Sequence, residues 1–240
     1  MIRPPYAKKK RALGSWLRET ALAARYRRHR VEAFFDYDWA RIGIGRADIV
    51  RRLMVGRCAY LEIGCAENLL FDTIEAELKV GVDPAQGGTH RMTSDAFFAA
   101  NTLAFDVVFI DGLHHYAQVR RDVENALAVL NPGGWIALHD MFPRDWIEEH
   151  VPQIATSRWT GDPWKVAFEL AVSPGVDFRL VRADHGVGIV RRLGGEARLA
   201  DRRAELAGQR FAWFRDQVGE LPVIDWPAAE AWVGEQSPRP

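Results

Sequence analysis

The stretch FIDGLHHYAQV, residues 109–119, ends a run of apolar residues with groups that can do chemistry. Asp111, His114 and His115 follow the run directly. A carboxylate and two imidazoles at this spacing are able to hold a metal ion or to act as general acid and base, but the same residue types also form ordinary turns. The neighbouring elements decide which of these applies.

Short apolar runs alternate with helical stretches along the middle of the chain. Because the runs are continuously apolar, they predict strands covered on both faces, as in a parallel sheet. The segment between the last two runs has helical spacing and stops at Asn131-Pro132-Gly133. Strand–helix–strand repeats predict right-handed crossovers and a doubly wound, Rossmann-like α/β domain. The four runs are 59–63, 79–83, 105–110 and 134–139.

The end of this domain has a different pattern. Residues 177–192 contain two strand-like runs joined by Asp184-His185-Gly186. A link this short cannot make a parallel crossover, so the pair is predicted to be an antiparallel hairpin that closes the sheet.

The turn after the first predicted strand, YLEIGCAENLL (60–70), does not favour a dinucleotide. A dinucleotide site needs the pattern G-x-G-x-x-G close to a pyrophosphate, whereas only Gly64 is present here and Glu67 would repel phosphate. S-adenosylmethionine has no phosphate and carries a sulfonium and an ammonium, which suit an acid such as Glu62. Asp83, 21 residues later, ends the second strand where an acid can bind ribose hydroxyls. Adenosylmethionine is therefore the favoured cofactor.

The ordered motifs carry a family resemblance. The chain resembles class I S-adenosylmethionine-dependent methyltransferases, and within them the bacterial small-molecule, O-methyltransferase-like branch, over residues 46–192. The resemblance implies a seven-stranded sheet with one antiparallel strand and chemistry beyond the fourth and fifth strands. The sequence departs from the family pattern at Ala66 and Asn68 in the glycine turn. The motifs are LEIG, GVDP, MTSDAFF, FDVVFIDGLHHY and LNPGGWIALHD.

The resemblance and the strand ends together predict the site. The strands ending at Ile110 and His139 are expected to be neighbours, about 5 Å apart, so that Asp111, His114, His139 and Asp140 converge. Catechol-type O-methyltransferases bind Mg²⁺ with acids at such positions, and a histidine beside two acids also admits Mn²⁺. Without a metal, His114 or His115 is the candidate general base; the third alternative is that these are only turn and supporting residues. The predicted metal ligands are Asp111, His139 and Asp140; the catalytic set is Asp111, His114, His115 and His139; the cofactor set is Glu62, Gly64, Asp83, Ser94, Asp95 and Asp111.

Composition limits the class of protein and its partners. The 240 residues carry 32 basic and 32 acidic side chains, but residues 1–30 hold ten Lys or Arg against one acid. A solvated helix explains this basic arm better than nucleic-acid binding, because no aromatic platform accompanies it. No apolar run approaches the ~18 residues of a membrane span, and the start lacks a signal-peptide pattern, so we expect a cytoplasmic protein. Cys58 and Cys65 are expected to be buried thiols.

Three hypotheses follow. The first is a methyltransferase acting on an oxygen, or less readily a nitrogen, of a small polar molecule such as a sugar or natural-product intermediate, with possible help from a metal. The alternatives are an NAD-dependent oxidoreductase and a non-catalytic adenosine- or partner-binding protein. The expected organisation is a helical segment with the basic arm (1–55), the methyltransferase domain (56–194) and a helical tail (195–240). Homo-oligomers are expected to form through the terminal helices.

Overall fold

A single mixed β-sheet organises the chain. The computed structural model describes the backbone of residues 5–236 and the side chains of residues 13–236. Within them the sheet has seven strands in the order β2-β1-β3-β4-β6-β5-β7. The strands are β1 Ala59–Ile63, β2 Leu78–Val82, β3 Phe105–Ile110, β4 Leu130–Leu138, β5 Val176–Val181, β6 Val187–Arg192 and β7 Val223–Ile224.

Strand direction confirms the predicted fold class. β1, β2, β3 and β4 are paired in parallel, as continuous apolar runs with helical crossovers require. β6 is antiparallel to both of its neighbours, β4 and β5. The hairpin of β5 and β6 therefore closes the parallel part of the sheet, as predicted. Its second strand, β6, lies between β4 and β5.

Helices cover both faces of the sheet. One apolar core lies between the sheet and the helices α4, α5, α7 and α9, and the other between the sheet and α3 and α10. Among the described residues, no helix combines the length and apolar character that crossing a membrane requires. The helices are α1 Pro5–Arg25, α2 Trp39–Ile42, α3 Arg46–Met54, α4 Ser94–Ala100, α5 Tyr116–Val129, α6 Trp146–Glu149, α7 Trp164–Leu170, α8 Arg203–Leu206, α9 Phe211–Gln217 and α10 Trp226–Glu235.

Both ends of the chain are less purely helical than expected. Residues 30–38, between α1 and α2, are not helical, and Phe35 and Tyr37 pack from there onto Phe142 after β4. The tail adds β7, which pairs in parallel with β5 and so extends the sheet. Two residues are too few to show a strand pattern in sequence.

Two other expectations have mixed outcomes. Both cysteines are free, but only Cys65 is buried and Cys58 is exposed, so the expectation of two buried thiols is wrong for Cys58, which precedes β1 instead of lying within it. In the basic arm, Arg3 and the side chains of residues 8–11 lie outside the described residues. Its predicted role, and oligomers formed through the terminal helices, stay predictions.

Candidate active site

A cleft of about 770 Å³ opens at the carboxyl ends of β1, β2, β3 and β4. This is where parallel sheets bind ligands. Gly64 forms its floor with φ of +90°, and a Cβ there would lie 2.2 Å from the carbonyl oxygen of Asp111. Only glycine fits at that turn, which explains why this one glycine of the family pattern is present.

Asp83, directly after β2, forms one wall of the cleft. One of its oxygens accepts a hydrogen bond from the amide of Ala66 at 3.0 Å, and the other accepts from the amides of Ala85 and Gln86 at 2.7 and 2.9 Å. Burial alone would raise the pKa of Asp83, but these three amides outweigh it and the pKa is lowered. The carboxylate is thus a fixed anion with acceptor capacity left for a ligand hydroxyl.

The start of α4 forms the next part of the wall. Thr93 caps the helix by accepting a hydrogen bond from Ala96 N at 3.2 Å, and Ser94 lines the cleft. Asp95 is not among the lining residues: its carboxylate is 51% exposed and pairs with Arg121. The structure thus brings Ser94 to the cleft but not Asp95.

Gln118 and Asp122 belong to the cleft but were not predicted from sequence. They lie one turn apart on α5, and Gln118 Nε2 donates to Asp122 Oδ1 at 3.0 Å and to Ser94 Oγ at 3.1 Å. Burial raises the pKa of Asp122 to about 6. Their i, i+4 spacing puts them on one face of α5, but the helix carries several other polar residues, so this spacing alone did not single them out.

Glu62 lies behind the cleft and does not line it. Its side chain, on β1, is 1% exposed and accepts a hydrogen bond from the Tyr60 hydroxyl at 2.5 Å. Strand side chains alternate between the two faces, so Glu62 points into the layer opposite Ile63, which does line the cleft. A direct cofactor contact from Glu62 stays a prediction.

The buried Glu62 gives a testable pH dependence. Burial raises its pKa from 4.5 to about 7, so between these values the unfolded chain has released a proton that the folded protein keeps. The free energy of unfolding should therefore fall as pH rises from 4.5 to 7, by about 3 kcal/mol from this group. Glu62→Gln should flatten that part of the curve in chemical denaturation. Glu67→Gln, in the exposed turn, is the control; an unchanged slope in Glu62→Gln would contradict the prediction.

Asp111, His114, His139 and Asp140 converge, as the neighbouring strands predict. His139 Nδ1 lies 3.2 Å from Asp111 Oδ1 and 3.3 Å from Asp140 Oδ2. His114 bridges the same two acids, with Nε2 at 3.4 Å from Asp111 and Nδ1 at 3.3 Å from Asp140. Two carboxylates and two imidazoles thus form one compact cluster at the deep end of the cleft.

Two further groups, Arg46 at the start of α3 and Asp184 in the hairpin turn, complete the cluster. Asp184 Oδ2 accepts from the backbone amide of Arg46 at 2.8 Å and lies 3.6 Å from its guanidinium. Asp184 Oδ1 is 3.5 Å from His139 Nε2. The sequence showed the turn at Asp184, but it did not show that the turn folds back onto the end of β4.

Electrostatics in the cluster favour charged forms. Burial alone would lower the pKa of His139, but Asp140 and Asp111 outweigh it and the pKa is raised well above 6.5. The pKa of His114 is raised in the same way, chiefly by its hydrogen bond to Asp111. Burial alone would raise the pKa of Asp184, but the hydrogen bond and the charge of His139 outweigh it and bring that pKa down to about 2. Protonated imidazoles cannot act as bases, so without a metal this cluster is a poor acceptor of protons at neutral pH.

His115 lies apart from the cluster. It precedes α5 as its N-cap residue and packs edge-on against Trp159 at a ring distance of 5.9 Å, and it does not line the cleft. Trp159 itself does line the cleft and stacks on His114 at 5.1 Å. His114 thus lies between the ring of Trp159 and two acids, whereas His115 contacts Trp159 outside the cleft.

The donor atoms of the cluster fit a divalent cation. One atom each from Asp111, His139 and Asp140 lie within 4.8 Å of one another. Two carboxylate oxygens and an imidazole nitrogen suit Mg²⁺ or Mn²⁺, with water or an acceptor oxygen in the remaining positions. The predicted ligand set is therefore brought together.

Comparison with known proteins agrees with this geometry. Residues 59–141 match the family described as a methyltransferase domain, a range that runs from β1 to just past the acids after β4. No curated protein matches the chain.

Solved structures with similar folds include three bacterial methyltransferases. A Staphylococcus aureus protein named as a caffeoyl-CoA O-methyltransferase is 15% identical, with 73% of this chain and 99% of that chain covered and a TM-score of 0.44. A Bacillus cereus O-methyltransferase is 12% identical, with 75% and 90% covered and a TM-score of 0.44. An amino pentose methyltransferase of Micromonospora echinaspora is 15% identical, with 65% and 92% covered and a TM-score of 0.42. The similarity to these structures is one of fold and assigns no activity.

The family match thus coincides with the strands that build the cleft. The sheet has the predicted order of parallel strands closed by an antiparallel one. The part of the chain that builds the cleft, residues 59–141, is thus similar to a methyltransferase domain.

Proposed function

We propose that this methyltransferase transfers the methyl group of S-adenosylmethionine to a hydroxyl oxygen of a small polar molecule, with the help of a divalent cation. One observation carries the proposal. A single cleft has a fixed carboxylate suited to ribose, Asp83, at one side and the cluster of Asp111, His139 and Asp140 at its deep end.

The polar groups that line the cleft favour one orientation of the cofactor. The ribose hydroxyls would donate to Asp83, whose anionic form is held by three amides. The adenine would then lie toward Ser94 and Gln118 at the start of α4 and α5. Gly64 lets the turn after β1 pack directly against the backbone of Asp111, which brings the ends of β1 and β3 together at the cleft. The sulfonium would come to rest near Asp111, where negative charge favours a cation.

The cluster would hold the cation through Asp111, His139 and Asp140. A divalent ion there would supply Lewis acidity, which would lower the pKa of an acceptor hydroxyl. His114 would not be a ligand in this arrangement; its contacts with Asp111 and Asp140 orient both carboxylates. The acceptor proton would leave to solvent.

The remaining walls of the cleft suit a small polar acceptor. Arg158 and Trp159 border the cleft on one side and His185 on the other. Arg158 is anchored by Glu19 of α1 at 3.3 Å and by Glu148 of α6 at 3.3 Å. An aromatic ring, a guanidinium and an imidazole provide stacking and hydrogen bonds for a hydroxylated ring such as a sugar or a natural-product intermediate.

Calorimetric titration tests the proposal directly. S-adenosylmethionine, S-adenosylhomocysteine and NAD would be titrated into the full chain with and without Mg²⁺. Saturable binding of the two adenosyl compounds, without binding of NAD, is expected. Binding of NAD alone would overturn the proposal in favour of a dehydrogenase, and binding of none of the three would leave the cleft without its proposed cofactor.

The basic arm is predicted to be dispensable for cofactor binding. The cleft is built from residues 46–185. Among the side chains of α1 that the structure describes, Glu19 contacts Arg158 and Thr156 and so reaches the cleft indirectly. Deletion of residues 1–11 keeps Glu19 and should leave the dissociation constant of S-adenosylhomocysteine within about twofold, well under the tenfold change that 1.4 kcal/mol produces. A loss of tenfold or more in the same titration would mean that the arm folds over the site.

A further inference from the structure

The hairpin turn between β5 and β6 places a carboxylate against the far side of His139. Asp184 is followed by His185 and Gly186, and all three residues have positive φ, of 43°, 61° and 85°. Gly186 N donates to Ala183 O at 2.8 Å, which with two positive φ values at the central positions corresponds to a type I′ turn. Such turns usually carry Asn-Gly at the centre, whereas this one has Asp-His.

The turn is pinned to the segment that follows β4. Met141 N donates to Gly186 O at 3.0 Å and Phe142 N donates to His185 O at 2.8 Å. A Cβ on Gly186 would lie 2.4 Å from Phe142 Cβ, so the backbone of the turn touches its neighbour. Non-glycine residues with positive φ are uncommon and costly, and they persist where the surroundings fix them. The position of Asp184 is therefore determined by the fold.

The two nitrogens of His139 face different acids. Nδ1 points at Asp111 and Asp140, at 3.2 and 3.3 Å. Nε2 points at Asp184 Oδ1, at 3.5 Å. Because the ring nitrogens diverge, Asp184 cannot ligate the ion that Nδ1 would bind. At 3.5 Å it is instead placed to accept the proton that Nε2 would carry whenever Nδ1 is a ligand.

The guanidinium of Arg46 also lies close to Nε2 of His139, so the position of the ring proton depends on both Arg46 and Asp184. The Nη1 atom of Arg46 lies 3.3 Å from His139 Nε2. If this guanidinium donated to Nε2, the ring proton would sit on Nδ1 and block ligation there. Asp184 counters this contact, since Oδ2 accepts from the Arg46 backbone amide and lies 3.6 Å from Nη1, and Oδ1 stays directed at Nε2.

We infer that Asp184 is a positioning residue, which keeps the proton of His139 on Nε2 and so presents Nδ1, together with Asp111 and Asp140, to a divalent cation. The inference rests on the metal site of the proposed function. With a cation bound, the arrangement would be a carboxylate–histidine–metal triad, in which the outer carboxylate orients the ring and raises its basicity as a ligand. Neither the family match nor the sequence pattern assigns this role to Asp184.

The test is metal binding rather than turnover. Mn²⁺ would be titrated by calorimetry into the full chain saturated with S-adenosylhomocysteine, for the parent, Asp184→Asn and Asp184→Ala. Loss of an outer-shell partner typically weakens metal binding by about 10–100-fold. Asn tolerates positive φ and keeps an acceptor oxygen, so Asp184→Asn should fall at the low end of that range and Asp184→Ala at the high end. Asp225→Asn is the matched control, because it removes an exposed acid that pairs with Arg182 close to the same turn; its affinity should stay within twofold.

A second readout separates positioning from general damage. In the Mg²⁺-loaded parent, ¹⁵N NMR of the His139 ring should show the proton on Nε2, and Asp184→Asn should shift part of the population to Nδ1–H. Affinities within twofold of the parent in both variants, with the tautomer unchanged, would overturn the inference. If the parent binds S-adenosylhomocysteine but no Mn²⁺, the metal site and this inference fall together while the methyltransferase assignment stands. If it does not bind S-adenosylhomocysteine either, the proposed function itself fails.

Discussion

Chelation of divalent cations is expected to lower methyl transfer by at least about 100-fold and to leave the affinity for S-adenosylhomocysteine nearly unchanged. Lewis-acid stabilisation is worth several kcal/mol of transition-state energy, and 1.36 kcal/mol corresponds to a factor of ten in rate. In the proposed arrangement the ribose is held by Asp83 after β2, which is not one of the proposed metal ligands. The two measurements are turnover of a methyl-accepting substrate and calorimetric binding, each with and without chelator.

Substitution of the ligands should reproduce chelation. Asp111→Asn and Asp140→Asn each remove an anionic ligand with little change of shape, and added Mg²⁺ or Mn²⁺ should restore only part of the activity. Both acids also contact His114 and His139, so thermal melting must show that each variant folds. Asp216→Asn, an exposed acid of α9 paired with Arg215, is the matched control and should behave as the parent.

The rival mechanism, in which a histidine is the general base, makes the opposite prediction. There, chelators have no effect and His114→Ala costs the 10²–10⁴-fold typical of losing a base. In the metal mechanism His114→Ala should cost less, because its contribution is the orientation of two carboxylates. The raised pKa of His114 already weakens it as a base near neutral pH. Full activity in the metal-free protein would rule out the metal mechanism.

The sequence predicted the parts of the site that follow from strand order. Apolar runs that end abruptly mark strand ends, and parallel strands bring their ends to one edge. This was enough to place Asp83, Asp111, His139 and Asp140 in one cleft. Glu62 shows the limit of that reasoning. Side chains of a strand alternate between its two faces, so only every second residue near a strand end faces the cleft. On β1 that residue is Ile63, and Glu62 faces the other side.

Groups brought in by long-range folding could not be predicted in the same way. Arg46 and Asp184 are 138 positions apart in the chain, and each belongs to an element whose local pattern, a helix start and a hairpin turn, is complete without any site. Their meeting depends on the turn docking onto the segment after β4 through Gly186. A single sequence contains no local signal for such a contact. Strand β7 was missed for a different reason: it has two residues, too few to show the alternation of a strand.

Asp83→Ala is expected to weaken the binding of S-adenosylmethionine and S-adenosylhomocysteine by about 10–100-fold, equivalent to roughly 1.5–3 kcal/mol for hydrogen bonds to a charged group. The change removes the ribose acceptor and also releases the three amides that order the turns at Ala66 and at Ala85 and Gln86. The sheet should survive, because Asp83 lies after β2 and contributes no apolar contact to either core.

Two further variants distinguish ligand binding from turn order. Asp83→Asn keeps the shape of the side chain but turns an amide donor toward backbone N–H groups, so it should lose most of the same affinity. Asp95→Ala removes an acid that the sequence also assigned to the cofactor, but which the structure places outside the cleft with its carboxylate paired to Arg121. Its dissociation constant should therefore stay within about twofold of the parent, since a surface ion pair contributes little. Parent-like affinity in Asp83→Ala, or a loss in Asp95→Ala as large as in Asp83→Ala, would show that the adenosine does not lie across the end of β2.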